Sequence, residues 1–371
     1  MKKIIGFFMA LALLVTLSAC GVKPTATVEN PIIKRSSYSF DLKVEDKDIV
    51  TKGSVLVNFY KISKKEEELV STKTLSTFSE NVSVTGLVSD TDYRADVVCT
   101  YNKKEHIIYS WTFKTNVKGT EYDPIMLTSA QELVDNLTND YSSDAFYCLA
   151  NDIDFAEYKD DEGNAKVFAG LSSTSSSAFC GHLDGKGYSI KNVTVTTTQT
   201  YNGFFGYLKG YLDNITFENV NVNVTRDSST TTYSGIVCGY AYQAKMNNVT
   251  LKDCKLTVDA KSQYNGSLAG YGFASNFNYS KVNNLEISST SGTTVYTGGI
   301  TGYLCQNSSS KYGKIYDCTV DGKITIANST TLYYGGLVGL LKAGSEINRG
   351  IANIDADIHS TGASRIGGII G

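Results

Sequence analysis

The sequence predicts an all-β protein in two parts. A sandwich of short strands comes first, and a stack of repeated turns follows behind a short capping helix. Three observations predict it. Between residues 31 and 117, apolar residues alternate with polar ones: Tyr38, Phe40, Leu42 and Val44, then Val55, Val57 and Phe59, then Val82 and Val84, then Tyr93, Ala95, Val97 and Cys99, then Tyr109, Trp111 and Phe113. Period-two alternation in these runs, with about six or seven short strands expected in about 90 residues, is the pattern of a half-buried sandwich. From about residue 201 a phrase recurs: Tyr201-Asn-Gly-Phe-Phe-Gly206, Tyr233-Ser-Gly-Ile-Val-Cys-Gly239, Tyr264-Asn-Gly-Ser-Leu-Ala-Gly270, Tyr296-Thr-Gly-Gly-Ile-Thr-Gly302, Tyr334-Gly-Gly-Leu-Val-Gly339 and Gly367-Gly-Ile-Ile-Gly371. Its last glycines are 33, 31, 32, 37 and 32 residues apart, a period that means stacked supersecondary units. Between the two parts, Ser129 and Glu132 form a capping box ahead of Leu133, Val134 and Leu137.

Residues 1–19 read as a targeting segment. Lys2 and Lys3 precede an apolar run over residues 4–15, and Leu17-Ser18-Ala19-Cys20 follows. This resembles the bacterial lipoprotein signal. The resemblance implies that Cys20 becomes the first mature residue, carries lipid such as palmitate, and ties the protein to the membrane lipid. The apolar run is short of the roughly 20 residues a spanning helix needs. The expected address is export, with the protein facing the cell exterior or the periplasm. Residues 20–30 are expected to be a tether.

Positions 20–117 hold 27 charged residues, while the longer stretch 195–371 holds 24, so a boundary falls near 118–123. Within 31–117, Leu87 precedes Tyr93 by six residues, and Tyr109-Ser-Trp-Thr-Phe-Lys-Thr follows. These stretches resemble the corner and last strand of a fibronectin type III domain. There the tyrosine hydroxyl bonds back across the corner. The tryptophan usual in an earlier strand of that family is missing, since Trp111 is the sole tryptophan. That leaves a fibronectin III-like or other immunoglobulin-like sandwich.

Residues 118–145 are read as linker and capping helix, because a terminal repeat would otherwise expose its core. Residues 146–371 are read as the repeat array. Tyr147-Cys-Leu-Ala-Asn-Asp-Ile-Asp-Phe155 starts it, and Phe179-Cys-Gly-His-Leu-Asp-Gly185-Lys-Gly187-Tyr-Ser-Ile190 leads into the phrases. In this order, from 123 to 371, the motifs resemble the right-handed parallel β-helix of bacterial surface proteins with GLUG-type repeats. Such repeats occur in adhesin-like proteins and in the non-catalytic part of some IgA-cleaving metallopeptidases. The array stops inside a phrase at Gly371, as expected of a sequence that continues.

Each repeat residue has a physical reason. The glycines permit backbone angles and close approach that a Cβ would block. Ile215, Val249, Leu285 and Cys318 are expected to fill one core column. Asn214, Asn248 and Asn284, with Asp317, are expected to form a turn ladder, since asparagine tolerates the left-handed conformation. Cys238 occupies the slot of Ala269 and Val338, so the cysteines read as small apolar residues.

Catalytic signals are sparse. The net charge of −3 gives no electrostatic case for nucleic acid. The three histidines, His106, His182 and His359, lie far apart without an H-E-x-x-H motif, so no metal site or cofactor is expected. The enzymatic alternative is a polysaccharide lyase or hydrolase, which needs clustered or paired carboxylates. Asp152, Asp154 and Asp184 are its candidates, with the loop Asp160-Asp161-Glu162 as a weak calcium site or a polar hairpin. The stronger lead is a tyrosine at one position of each phrase: Tyr201, Tyr233, Tyr264, Tyr296 and Tyr334. Tyr207, Tyr240, Tyr271 and Tyr303 recur at a second position. Equal positions stack, so two tyrosine columns are expected. They serve either as structural stacking or as a flat aromatic strip for glycan or protein. The expected function is a non-enzymatic, lipid-anchored binding or adhesion surface. A structural spacer of a longer protein is the further alternative.

Overall fold

The computed structural model describes residues 23–34, 36–63, 66–116, 119–138, 144–307 and 312–371. The expected targeting segment, residues 1–19, and Cys20 lie outside the described residues. Among those described, no helix is long and apolar enough to cross a membrane. The chain divides into two compact units, Met1–Gly119 and Thr120–Gly371.

The first unit has seven strands: β1 (Thr25–Ile33), β2 (Ser37–Glu45), β3 (Leu56–Ile62), β4 (Glu67–Thr74), β5 (Ser79–Thr85), β6 (Asp92–Tyr101) and β7 (Lys104–Lys114). They form two antiparallel sheets, ordered β1-β2-β5 and β4-β3-β6-β7. The alternating residues meet in one core. Tyr38, Phe40, Leu42, Val82 and Val84 from one sheet join Val57, Phe59, Tyr93, Ala95, Val97 and Phe113 from the other. Trp111 Nε1 donates to Tyr38 Oη at 3.0 Å, and its ring meets Phe40 edge-on. The Val88 N–H donates to Tyr93 Oη at 2.8 Å, which is the corner bond expected from the Leu87–Tyr93 spacing.

The expected tether is partly strand. Thr25 to Glu29 pair with Glu45 to Asp41, and Ala26 is buried. A register shift between Glu29 and Ile32 then lets Pro31 sit on the edge strand without breaking the ladder.

In the second unit the parallel sheet begins earlier than residue 146. β8 (Ile125–Leu127) already pairs with β9 (Phe146–Leu149). Between them lies α1 (Ala130–Thr138). Ser129 Oγ accepts the Glu132 N–H at 3.2 Å, as a capping box requires. The reciprocal arm reaches one residue further back, where the Glu132 carboxylate takes the N–H and hydroxyl of Thr128. Leu133 and Leu137 are fully buried against the core of the first turns, as expected of a cap.

Successive turns then pair in parallel along three faces. On the first, Leu183, Leu212, Met246, Phe277 and Ile315 stack inward. On the second, Ile190, Phe217, Leu251, Val282 and Val320 do so. The third is a separate five-stranded parallel sheet: Phe205–Leu208, Cys238–Tyr242, Ala269–Phe273, Thr301–Cys305 and Val338–Leu341. Cys238 indeed stands in register with Ala269, and the column runs on through Thr301 and Val338 to Ile370. All the described cysteines are free thiols. Burial pushes those of Cys254 and Cys318 up to about 11, so they act as core filler.

The register corrects one sequence alignment. Phe277, not Val282, follows Met246. Ser280 therefore follows Val249, and Leu285 moves to a neighbouring column with Cys254. The cause is that left-handed corners occur at two neighbouring places in the turns. Asn214, Asn248, Tyr279, Asp317 and Arg349 occupy one at φ between 51° and 54°. Asn192, Asn219, Asp253 and Asn284 occupy the other at φ between 52° and 58°. Tyr279 replaces the asparagine of the first corner, so letter-matching slides to the second. Asparagines bond across layers at both: Asn248 Nδ2 donates to Asn214 Oδ1 at 3.0 Å, and Asn219 Nδ2 to Asn192 Oδ1 at 2.8 Å.

The phrase glycines are demanded by proximity. A Cβ on Gly270 would lie 2.5 Å from Ser234 N and 2.6 Å from Tyr264 O, both backbone atoms. We predict that Gly270→Ala destabilises the second unit by about 2 kcal/mol or more, since a clash with backbone cannot be relieved by a rotamer change. Thermal unfolding followed by far-ultraviolet circular dichroism checks this, and a wild-type midpoint would refute it.

Candidate functional site

The two tyrosine columns form on the third face and the corner that leads into it. Tyr201, Tyr233, Tyr264 and Tyr296 are in direct register. The fifth place belongs to Tyr333, not Tyr334. Counting back from the shared glycines Gly302 and Gly339 matches Tyr296 to Tyr333, whereas matching by the last tyrosine before the glycines selects Tyr334. Tyr334 instead pairs with Thr297 and is buried in the core.

Along the first column, ring centroids are 5.3, 5.2, 4.5 and 4.6 Å apart, with planes within 19°. Along the second, Tyr207, Tyr240, Tyr271 and Tyr303 stack at 4.8, 4.8 and 4.6 Å, and Leu340 takes the next place. The columns interlock edge to face, for example Tyr201 with Tyr207 at 82° and Tyr233 with Tyr240 at 74°. Both geometries suit the ring quadrupole, and each pair contributes about 0.5–1.5 kcal/mol beyond burial.

This arrangement changes what the surface offers. Ring faces inside each column are covered by the rings above and below, so no flat aromatic strip is presented. What remains at the surface is a narrow rim, since Tyr207 is buried and the other column tyrosines are half-buried. At the far end, the Arg365 guanidinium lies 4.9 Å from the Tyr333 ring and its Nη1 donates to Tyr333 Oη. Burial first, and neighbouring phenols second, push Tyr207 up to about 12. Burial also raises Tyr233, Tyr240, Tyr264 and Tyr271 above the ordinary phenol value. The hydroxyls of Tyr207, Tyr233, Tyr240, Tyr264 and Tyr271 are therefore neutral donors and acceptors at physiological pH.

Sequence reading missed the row beside the first column. Asn202, Ser234, Asn265 and Thr297 follow the tyrosines and point inward, all essentially buried. Asn202 Nδ2 donates to the Gln199 carbonyl at 3.1 Å, and Asn265 Nδ2 to Gln263 Oε1 at 2.9 Å. Aligning the phrases on their glycines exposes this polar row. It also missed the stacked pair Tyr242–Phe273, 5.1 Å apart.

The candidate carboxylates are occupied by the fold. Asp152 accepts the Ser189 N–H at 2.9 Å and pairs with Lys191 Nζ at 2.6 Å. Asp154 accepts the Ala156 N–H and Asn192 Nδ2, both at 2.9 Å. Asp184 accepts the Lys186 N–H at 2.9 Å and Asn214 Nδ2 at 3.3 Å, and it pairs with Lys186 Nζ. Hydrogen bonding to Lys191 and Ser189 lowers Asp152. Burial pushes Asp184 up, but its hydrogen bonds outweigh this and the net shift is downward. A glycosidase proton donor needs the opposite shift. Asp160 is likewise used as a turn cap, accepting the N–H groups of Glu162 and Asn164.

His182 Nε2 lies 2.6 Å from Asp213 Oδ2, out of line for a hydrogen bond, with its ring over Phe146. Among the described residues, no group of three or more His, Cys, Asp or Glu could hold a metal ion. A surface depression in the first unit, lined by residues such as Lys43, Glu45, Asp48 and Ser76, contains none of the candidates. Comparison with protein-family models and with curated proteins finds no match.

Because the folded state holds the ladder phenols protonated, it binds more protons than the unfolded chain above pH 10. Stability is then full below pH 10 and falls as pH climbs towards about 12. We predict that phenolate absorbance from the ladder appears together with loss of the far-ultraviolet β signal in an alkaline titration. Ladder ionisation well before unfolding would contradict it.

Proposed function

We propose that this chain is a non-enzymatic, lipid-anchored surface protein whose second unit binds glycan or protein through its tyrosine rim. In this reading Cys20 carries the lipid and the protein faces the cell exterior or periplasm. The first unit is a fibronectin III-like or other immunoglobulin-like sandwich. The second is a right-handed parallel β-helix of GLUG-type repeats. Two sheets ordered β1-β2-β5 and β4-β3-β6-β7, with the Val88–Tyr93 corner bond, support the first assignment. Parallel connections within one sheet are right-handed in nearly every protein, which supports the second.

The observation that carries the functional reading is the double tyrosine column, held in register across successive turns. It sets neutral hydroxyls at the layer spacing along one corner. Such a row suits a ligand that repeats hydroxyl groups along its length, or an extended backbone. The engagement of Asp152, Asp154 and Asp184 in turns supports binding over catalysis.

A glycan array probed with the soluble 21–371 fragment tests the reading. Single Tyr→Phe changes at 233 or 264 keep the stack and remove one hydroxyl. Each should weaken binding by about 0.5–1.5 kcal/mol, roughly threefold to tenfold. Binding unaffected by both changes would exclude the rim, and polysaccharide cleavage by the fragment would return the enzymatic alternative. For the anchor, Cys20→Ser should shift the protein from the membrane fraction to the soluble one. Retention in the membrane would overturn lipidation at this residue.

A further inference from the structure

We propose that the first tyrosine column is a site of oxidative cross-linking, in which stacked phenols of neighbouring turns are joined as dityrosine, foremost at Tyr264–Tyr296. The geometry singles out this pair. Its ring centroids are 4.5 Å apart with 2° between planes, the closest and most parallel of the column. Parallel planes at this separation put the two phenols in contact, and with them the carbons beside the two hydroxyls. Those carbons carry the unpaired spin of a phenoxyl radical.

The step needs an external one-electron oxidant, two equivalents per link. Each phenol loses one electron to the oxidant and its hydroxyl proton to solvent. The two radicals join through one new carbon–carbon bond between their Cε atoms. Each ring then moves its displaced hydrogen back to oxygen and regains aromaticity. The product is two hydrogen atoms lighter than the reactants, with two electrons passed to oxidant and two protons released. A radical formed elsewhere in the column has a continuous path to this pair, because successive rings are never more than 5.3 Å apart.

The second column ends differently. Tyr271 Oη lies 3.5 Å from Cys305 Sγ. A phenoxyl radical there takes the thiol hydrogen atom, which restores the tyrosine and leaves a thiyl radical. Cross-links should therefore collect in the first column. A Tyr264–Tyr296 link closes a loop of one whole repeat, so it restrains the unfolded chain as a disulfide does.

The full chain is illuminated with ruthenium tris-bipyridyl and persulfate at low protein concentration, and the monomer is isolated. Trypsin cuts after Lys281 and places Tyr264 and Tyr296 in separate peptides, which tandem mass spectrometry then reads. The expected product joins these two residues, and the linked monomer melts at a higher temperature. Tyr264→Phe and Tyr296→Phe keep the ring and should each abolish it. Cys305→Ser should raise linkage between Tyr271 and Tyr303. Linkage dominated by Tyr122, which is 86% exposed, would overturn the proposal. So would links mainly between chains, or an equal Tyr264–Tyr296 yield from chain unfolded in urea.

Discussion

Backbone-to-backbone contact at the glycine corner governs the second unit. There, just after a bend, the strand runs so close that a Cβ would touch both its own turn's tyrosine carbonyl and the preceding turn. Gly270 sits against Ser234 N and Tyr264 O, and Gly239 against Asn202 N and Tyr233 O. Neither glycine has a positive φ, so it is the missing Cβ and not an unusual torsion that matters. Because this contact repeats at the same place in each phrase, the residues around it are forced into register.

The tyrosines are a direct result. A side chain six or so residues before the corner glycine has the same surroundings in every turn and can only lie above its counterpart. The ring stack then completes its own packing, faces within a column and edges between columns. The inward neighbours Asn202, Ser234, Asn265 and Thr297 show the cost of that alternation, because the strand must carry polar groups into the interior. They are retained through hydrogen bonds such as Thr197 to Asn202 at 3.1 Å and Ser289 to Gln263 at 2.8 Å.

The two units differ in how far the sequence foretold them. In the first, alternation alone identified the buried face, and Tyr93 was placed with its partner, because period two leaves one solution for a half-buried strand. The strand at Thr25–Ile33 escaped notice, since an edge strand buries only one or two residues and carries a proline. In the second, the period and the glycine rule were legible. Letter-matching failed where chemistry was conserved in shape but not in kind. Tyr279 and Arg349 adopt the left-handed corner that asparagine usually fills. Tyr334 copies the name of the ladder residue while Tyr333 takes its position. Stacking was one of the two roles expected of the columns, whereas their edge-to-face interlocking depends on χ angles that the sequence does not carry. The carboxylates were legible as residues, and the caps of Asp154 and Asp184 on Ala156 and Lys186 are local, but the cross-turn partners Ser189, Asn192 and Asn214 lie about 30 to 40 residues away.

The in-register column also makes length a discrete quantity. Each further turn adds one ring to a column and advances the surface by the interstrand spacing of about 4.8 Å. In-frame duplication of a single phrase, such as the stretch from Tyr264 to the residue before Tyr296, would lengthen the rim without altering its chemistry. Reach and valency would then be set by copy number, as the marks on a ruler are, and could change in single steps while every individual contact stayed the same.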